Sequence, residues 1–188
     1  MKLNLGCGYN RLDDYINVDW DSYCKPDVLA NLEETLPFED GTVEEIRLFH
    51  VLEHLGADTK TYLAIWKEFY RVLKDEAEVH IVVPHWNHEN FHHDPTHCRK
   101  VTPNGIALFD QLRNQEQIDE GGQETTLGIQ LGIDFSIVGV GYVLAPWFEN
   151  MMVGKPKEAV MHEMNRYNNS CFEITIKAKA HKPARVTK

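Results

Sequence analysis

Short apolar runs closed by glycine, proline or acidic residues set the rhythm of the amino-terminal half. Residues 2–5 and 16–19 read as strands, residues 26–29 as a third with Asn31 at its exit, and residues 44–49 as a fourth. Residues 59–73 carry Leu63, Trp66, Phe69, Tyr70 and Leu73 at helical spacing, and residues 79–83, stopped by Pro84, make a fifth strand. Strands alternating with helical segments predict a mostly parallel sheet with helices on both faces. Ligands of such sheets bind beyond the carboxyl ends of the strands. Gly8, Asp19, Asn31, His50 and Pro84 would then share one edge.

Past Pro84 the pattern loosens. Residues 85–100 are polar and rich in histidine, residues 103–112 predict a helix, and residues 114–128 predict a polar loop. Regular phasing returns with strands at 135–144 and 172–180, flanking a helical segment at 158–167. No internal repeat or low-complexity linker divides the chain, so a single domain over residues 1–188 is expected.

Composition narrows the partners. The 188 residues carry a net charge of −10, which repels a phosphate backbone, so nucleic acid is a disfavoured partner. The lysines and arginine of the last dozen residues, ending at Lys188, are expected to form a solvated strand and a frayed end. Apolar runs long enough to cross a bilayer are missing, and the start of the chain lacks the apolar helix of a signal peptide. A cytoplasmic protein without membrane contact is therefore expected. Cys7, Cys24, Cys98 and Cys171 form no Cys-x-x-Cys pair, which favours free thiols over disulfides or a zinc knuckle.

Two segments carry candidate chemistry. In the first, Leu3-Asn4-Leu5-Gly6-Cys7-Gly8 ends an apolar strand in Gly-x-Gly, which lets backbone approach a ligand. Asp19, closing the next strand, can accept hydroxyl hydrogens from a ribose. The third glycine of a dinucleotide loop is missing near Leu12, which disfavours pyrophosphate binding. In the second, His50, Glu53 and His54 stand at i, i+3 and i+4, a spacing that could hold a metal ion. Packing and hydrogen bonding are the expected use, and no metal is predicted. The loop with His85, His88, His92, His93, His97 and Cys98 is expected to serve substrate binding or general base chemistry ahead of structural hydrogen bonding or metal binding.

The order Leu-Asn-Leu-Gly-x-Gly, Ile16-Asn17-Val18-Asp19, Leu36-Pro37-Phe38, His50-Val51-Leu52-Glu53-His54 and Arg71-Val72-Leu73-Lys74 resembles the class I S-adenosylmethionine-dependent methyltransferases, in the branch of small type 11 enzymes. The resemblance implies a Rossmann-like, doubly wound, mostly parallel seven-stranded sheet with one antiparallel strand near the carboxyl terminus. It implies S-adenosylmethionine as cofactor, with Leu5, Gly6, Cys7 and Gly8 under the methionine part, Asp19 on the ribose, Trp20 beside the adenine, Asn31 and Leu32 at the base edge, and His50 near the transferred methyl. The expected reaction is O- or N-methylation of a small-molecule or glycan-type acceptor, with His50, His93 and His97 as candidate bases. Alternatives are a non-catalytic binder of S-adenosylmethionine or a related nucleoside, and an NAD-dependent oxidoreductase. Two features depart from the wider superfamily: Asn4 replaces the acidic residue usual before the first glycine, and the connector to Ile16 is too short for a full helix.

Overall fold

A computed structural model describes residues 1–186. Its centre is a seven-stranded sheet ordered β3-β2-β1-β4-β5-β7-β6. Strands β1 (Lys2–Leu5), β2 (Ile16–Asp19), β3 (Val28–Leu29), β4 (Val43–Phe49) and β5 (Leu73–Pro84) pair in parallel. The last strand in sequence, β7 (Cys171–Ala180), inserts antiparallel between β5 and β6 (Phe135–Leu144). This is the expected sheet, with its one antiparallel strand.

Strand β1 lies between two neighbours, and Leu3, Asn4 and Leu5 are all buried, as a strand covered on both faces requires. Helix α1 (Thr59–Val72) starts where the Asp58 side chain accepts the Thr61 N–H. It buries Ile65, Trp66, Phe69 and Val72, while Leu63 and Tyr70, expected on the inner face, are only half-buried. Trp66 anchors the core, stacked on Phe109 at 4.7 Å between centroids and edge-on to Phe135 at 5.2 Å.

The β1–β2 crossover contains no helix and is held by side-chain amides. Asn4 Nδ2 donates to Asn10 O and to Asn17 Oδ1, both at 2.9 Å. Asn17 Nδ2 donates in turn to Asp27 Oδ2 at 2.8 Å. The Asn17 backbone N–H, Arg11 and the Asn17 amide together hold the Asp27 carboxyl down at about 2. Asn4 thus ties down the connector, and its amide hydrogens are both engaged there.

The second half departs most from expectation. The helix expected over residues 103–112 is broken into two. Helix α3 (Pro103–Ala107) ends early, and Asp110 caps a new one, α4 (Gln111–Asp119), which extends into the expected loop. The loop also holds the short α5 (Leu127–Leu131). Periodicity missed α4 because its inward positions are polar: buried Gln111 and Asn114 donate to Gly128 O and Leu108 O. Helix α6 (Pro146–Met152) has no sequence counterpart in the expectations, and α7 (Lys157–Met164) is shorter than residues 158–167. The chain end does not fray within the described residues. Arg185 closes on fully buried Asp134 and on Asp110. Lys188 lies outside the described residues. Between α1 and α3, in the histidine-rich stretch, sits one further short helix, α2 (Glu89–His92).

Candidate functional site

The site forms at the carboxyl ends of β1, β2 and β4. After Leu5 the chain turns back on β2, with Gly6 N–H and Cys7 N–H both donating to Val18 O at 2.8 and 3.1 Å. Gly6 has φ +65°, and a Cβ there would lie 2.5 Å from a Val51 methyl, so both backbone and packing exclude a side chain. Gly8, with φ +49°, faces open space. Asp19 accepts the Gly8 N–H on Oδ2 at 2.8 Å and the Asp21 N–H on Oδ1 at 2.9 Å. These two bonds fix the carboxylate at the strand end and leave each oxygen a further lone pair.

A cavity of about 470 Å³ opens here, lined by Gly6, Asp19, Trp20, Asn31, Leu32 and His50 of the expected set. Glu33, Val51, His54, Leu55 and Thr96 complete it. Leu5 and Cys7 do not line it: their side chains are buried in the fold, and burial pushes the Cys7 thiol up. Gly8 reaches it only through its bond to Asp19. The Asn31 amide is engaged locally, accepting from Glu33 N–H and donating to Glu34. Trp20 is 78% exposed, an indole standing at the rim.

A second cavity, of about 380 Å³, adjoins the first and shares His50 and His54 with it. Its lining brings together all three candidate bases, His50, His93 and His97, with Glu53, Asp94, Pro84 and Glu173. His50 sits at the junction with φ +55°, a left-handed conformation uncommon outside glycine. Its Nδ1 stands 3.5 Å from Glu53 Oε1 and its Nε2 3.2 Å from Glu173 Oε1. Glu53 first, and Glu173 behind it, hold its pKa above the ordinary histidine value against the opposing effect of partial burial.

The histidine-rich loop divides its residues. His85 and His88 are buried away from this cavity, His88 capping α2 through its Nδ1 and His85 driven down to about 4 by burial. His93 and His97 line the cavity, whereas His92 is exposed on α2. Glu173, which sequence reasoning missed, arrives from β7, far along the chain. Only the insertion of β7 beside β5 puts it there.

Comparison with known proteins agrees with this geometry. Residues 3–81 match the family model described as a methyltransferase domain. No curated protein matches the chain in sequence. Among solved structures, a S-adenosylmethionine-dependent methyltransferase from Archaeoglobus fulgidus is 20% identical, with a TM-score of 0.62 over 95% of this chain and 85% of its own. One from Methanosarcina mazei is 15% identical, with a TM-score of 0.52 over 96% and 92%. The cyclase SpnF is 13% identical, with a TM-score of 0.53 over 96% and 75%. At these identities the structural likenesses speak for the fold. Residues 3–81 thus match a methyltransferase domain, and the chain as a whole shares the fold of solved S-adenosylmethionine-dependent methyltransferases.

Proposed function

We propose that this protein, as one domain, transfers the methyl group of S-adenosylmethionine to a hydroxyl or amine of a small-molecule or glycan-type acceptor. The observation that carries the reading is the pair of adjoining cavities with His50 at their junction. The first has the volume of a small-molecule site, for which roughly 300–1,000 Å³ is usual. Its residues suit the cofactor: spare lone pairs on Asp19 for ribose hydroxyls, and Trp20 and Leu32 as apolar surface for a purine. Bound there, the cofactor supplies an already activated sulfonium methyl.

The protein then has to place an acceptor atom in line and remove its proton. His50 suits the proton step. It stands at the junction of the two cavities with Glu53 beside its Nδ1 and Glu173 beside its Nε2, which raise its pKa above the ordinary histidine value. His93 and His97 line the same cavity and serve to hold the acceptor. The acidic lining and the net charge of −10 favour a neutral or cationic acceptor over nucleic acid.

NAD is disfavoured as ligand because no helix starts after the glycine turn, so no helix amino terminus faces a pyrophosphate. A role other than methyl transfer has one observation behind it: SpnF, named a cyclase, shares the fold. The deciding experiment incubates the purified protein with S-adenosylmethionine and pooled hydroxyl and amine acceptors and measures S-adenosylhomocysteine. Release that depends on His50 supports transfer; tight cofactor binding with no release from any pool favours the binding role.

A further inference from the structure

Glu53 has an unusual environment for a carboxylate. It is 1% exposed, and neither of its oxygens accepts a hydrogen bond. A carboxylate stripped of water in this way needs a cation beside it. His50 Nδ1 lies at the outer limit of contact, 3.5 Å from Oε1, and is itself half exposed and shared with Glu173. Two other imidazoles stand beside the same carboxylate. The ligand atoms of Glu53, His54 and His97 all lie within 4.8 Å of one another.

The hydrogen-bond network assigns both ring tautomers. The Thr96 hydroxyl donates to Asp94 Oδ1 at 2.6 Å, so its 2.8 Å contact with His54 Nδ1 requires the ring N–H to donate. His97 Nδ1 lies 2.8 Å from Phe91 O, an acceptor only, and must also carry a proton. In the neutral rings the lone pairs therefore sit on Nε2 of both histidines. Ring nitrogens fixed in this manner by an outer partner are the arrangement that metal-ligating histidines adopt. The backbone holds the group together as well: Cys98 N–H and Arg99 N–H both donate to Glu53 O, at 2.9 and 3.0 Å.

We propose that Glu53, His54 and His97 bind a divalent first-row transition cation, zinc-like in its preferences, at the floor of the histidine-lined cavity. Two imidazole nitrogens and one carboxylate oxygen suit such an ion, whereas magnesium and calcium favour oxygen ligands throughout. This replaces the expectation of no metal. Three protein ligands leave at least one coordination position open. All three residues line the second cavity, so that position is reached from the space proposed for the acceptor. An ion there would take an acceptor oxygen as ligand and lower its pKa. This last step rests on the methyl-transfer reading, while the metal site itself does not.

The test uses chelator-treated full-length protein, titrated with Zn²⁺ by calorimetry and with Co²⁺ by visible absorption, with S-adenosylhomocysteine binding measured in parallel. One ion per chain is expected. Glu53→Gln and His97→Ala should each weaken Zn²⁺ binding by roughly a hundredfold or more, and Thr96→Val, which frees the His54 ring, by roughly 10–100-fold. His92→Gln, on exposed α2, should leave the affinity unchanged. An unchanged circular-dichroism melt shows that a variant is folded, Thr96 lining the first cavity as well; if His97→Ala is not folded, the Co²⁺ spectrum of Thr96→Val decides. Silence from Zn²⁺ and Co²⁺ with wild-type protein, binding of Mg²⁺ alone, or equal affinity in wild type, Glu53→Gln and Thr96→Val would overturn the site. Metal binding without S-adenosylhomocysteine binding would instead overturn the methyl-transfer reading and leave the metal site standing.

Discussion

The two cavities are built by opposite means. The one at Gly6 and Asp19 has a base made by neighbours in sequence, a glycine turn, the strand after it and the Gly8 N–H donated to a carboxylate 11 residues away, with His50, Val51, His54, Leu55 and Thr96 closing it from farther along the chain. The one at Glu53 and His97 is assembled from the segment after β4, the loop after β5, and β7. A site made from backbone tolerates few residue types at its turns but many around them. A site made from distant side chains depends on tautomers and on hydrogen bonds that no local pattern announces.

If that contrast holds, changes to the fold should affect both cavities, and changes to the lining of one should spare the other. The largest effect is expected from Gly6→Ala. The added methyl meets Val51 at 2.5 Å in a left-handed conformation, so folding should suffer by several kcal/mol, on the order of overpacking and backbone strain combined. A thermal melt unchanged from wild type would refute the close approach. Arg185→Ala comes next. It strands Asp134, whose carboxyl burial pushes up while Arg185 and the Gln111 N–H pull it below the usual range. Removing one partner of a buried pair costs about 3–5 kcal/mol, and chemical denaturation should find both cavities lost together.

Asp19→Ala should lower S-adenosylhomocysteine affinity by roughly a hundredfold, the loss of charge-assisted bonds to a ribose, while leaving Zn²⁺ affinity intact. Calorimetry with both ligands checks this, and equal loss of both would merge the two cavities into one unit. A smaller effect concerns pH. His85 is buried with a pKa of about 4, against about 6.5 in the unfolded chain, so between these values only the unfolded state takes up the proton. The contribution of His85 should be level above pH 6.5 and fall below it, by about 2 kcal/mol at pH 5. His85→Phe should flatten that part of the curve in urea titrations. The smallest change is expected from Trp20→Ala, which removes one face from the rim of the first cavity and should weaken S-adenosylhomocysteine binding by about tenfold, with metal affinity untouched.

How much of this was legible in the chain follows the same division. Strands β1, β2, β4 and β6 and helix α1 lie within a residue of their expected bounds, because each buries an apolar run or stripe with the period of its element. The break between α3 and α4, and α4 itself, were hidden because buried Gln111 and Asn114 look like surface residues. In the site, Gly6, Asp19, Trp20, Asn31, Leu32 and His50 were named in advance and line one cavity. Leu5 and Cys7 were named with them, but a strand end buried on both faces turns their side chains inward.

The sequence by itself determined the glycine turn, the acidic strand end and the succession of strands along the chain, since these follow from local steric freedom and from apolar periodicity over neighbouring residues. It also supplied the histidines. Which of them meet was decided only by tertiary structure: His85 and His88 were turned into the core, and His97 was fastened to Glu53 by two backbone N–H groups from the next residues. A carboxylate's burial, its lack of hydrogen bonds and the tautomers of the rings facing it depend on distances between segments far apart in the chain, which composition and spacing do not encode.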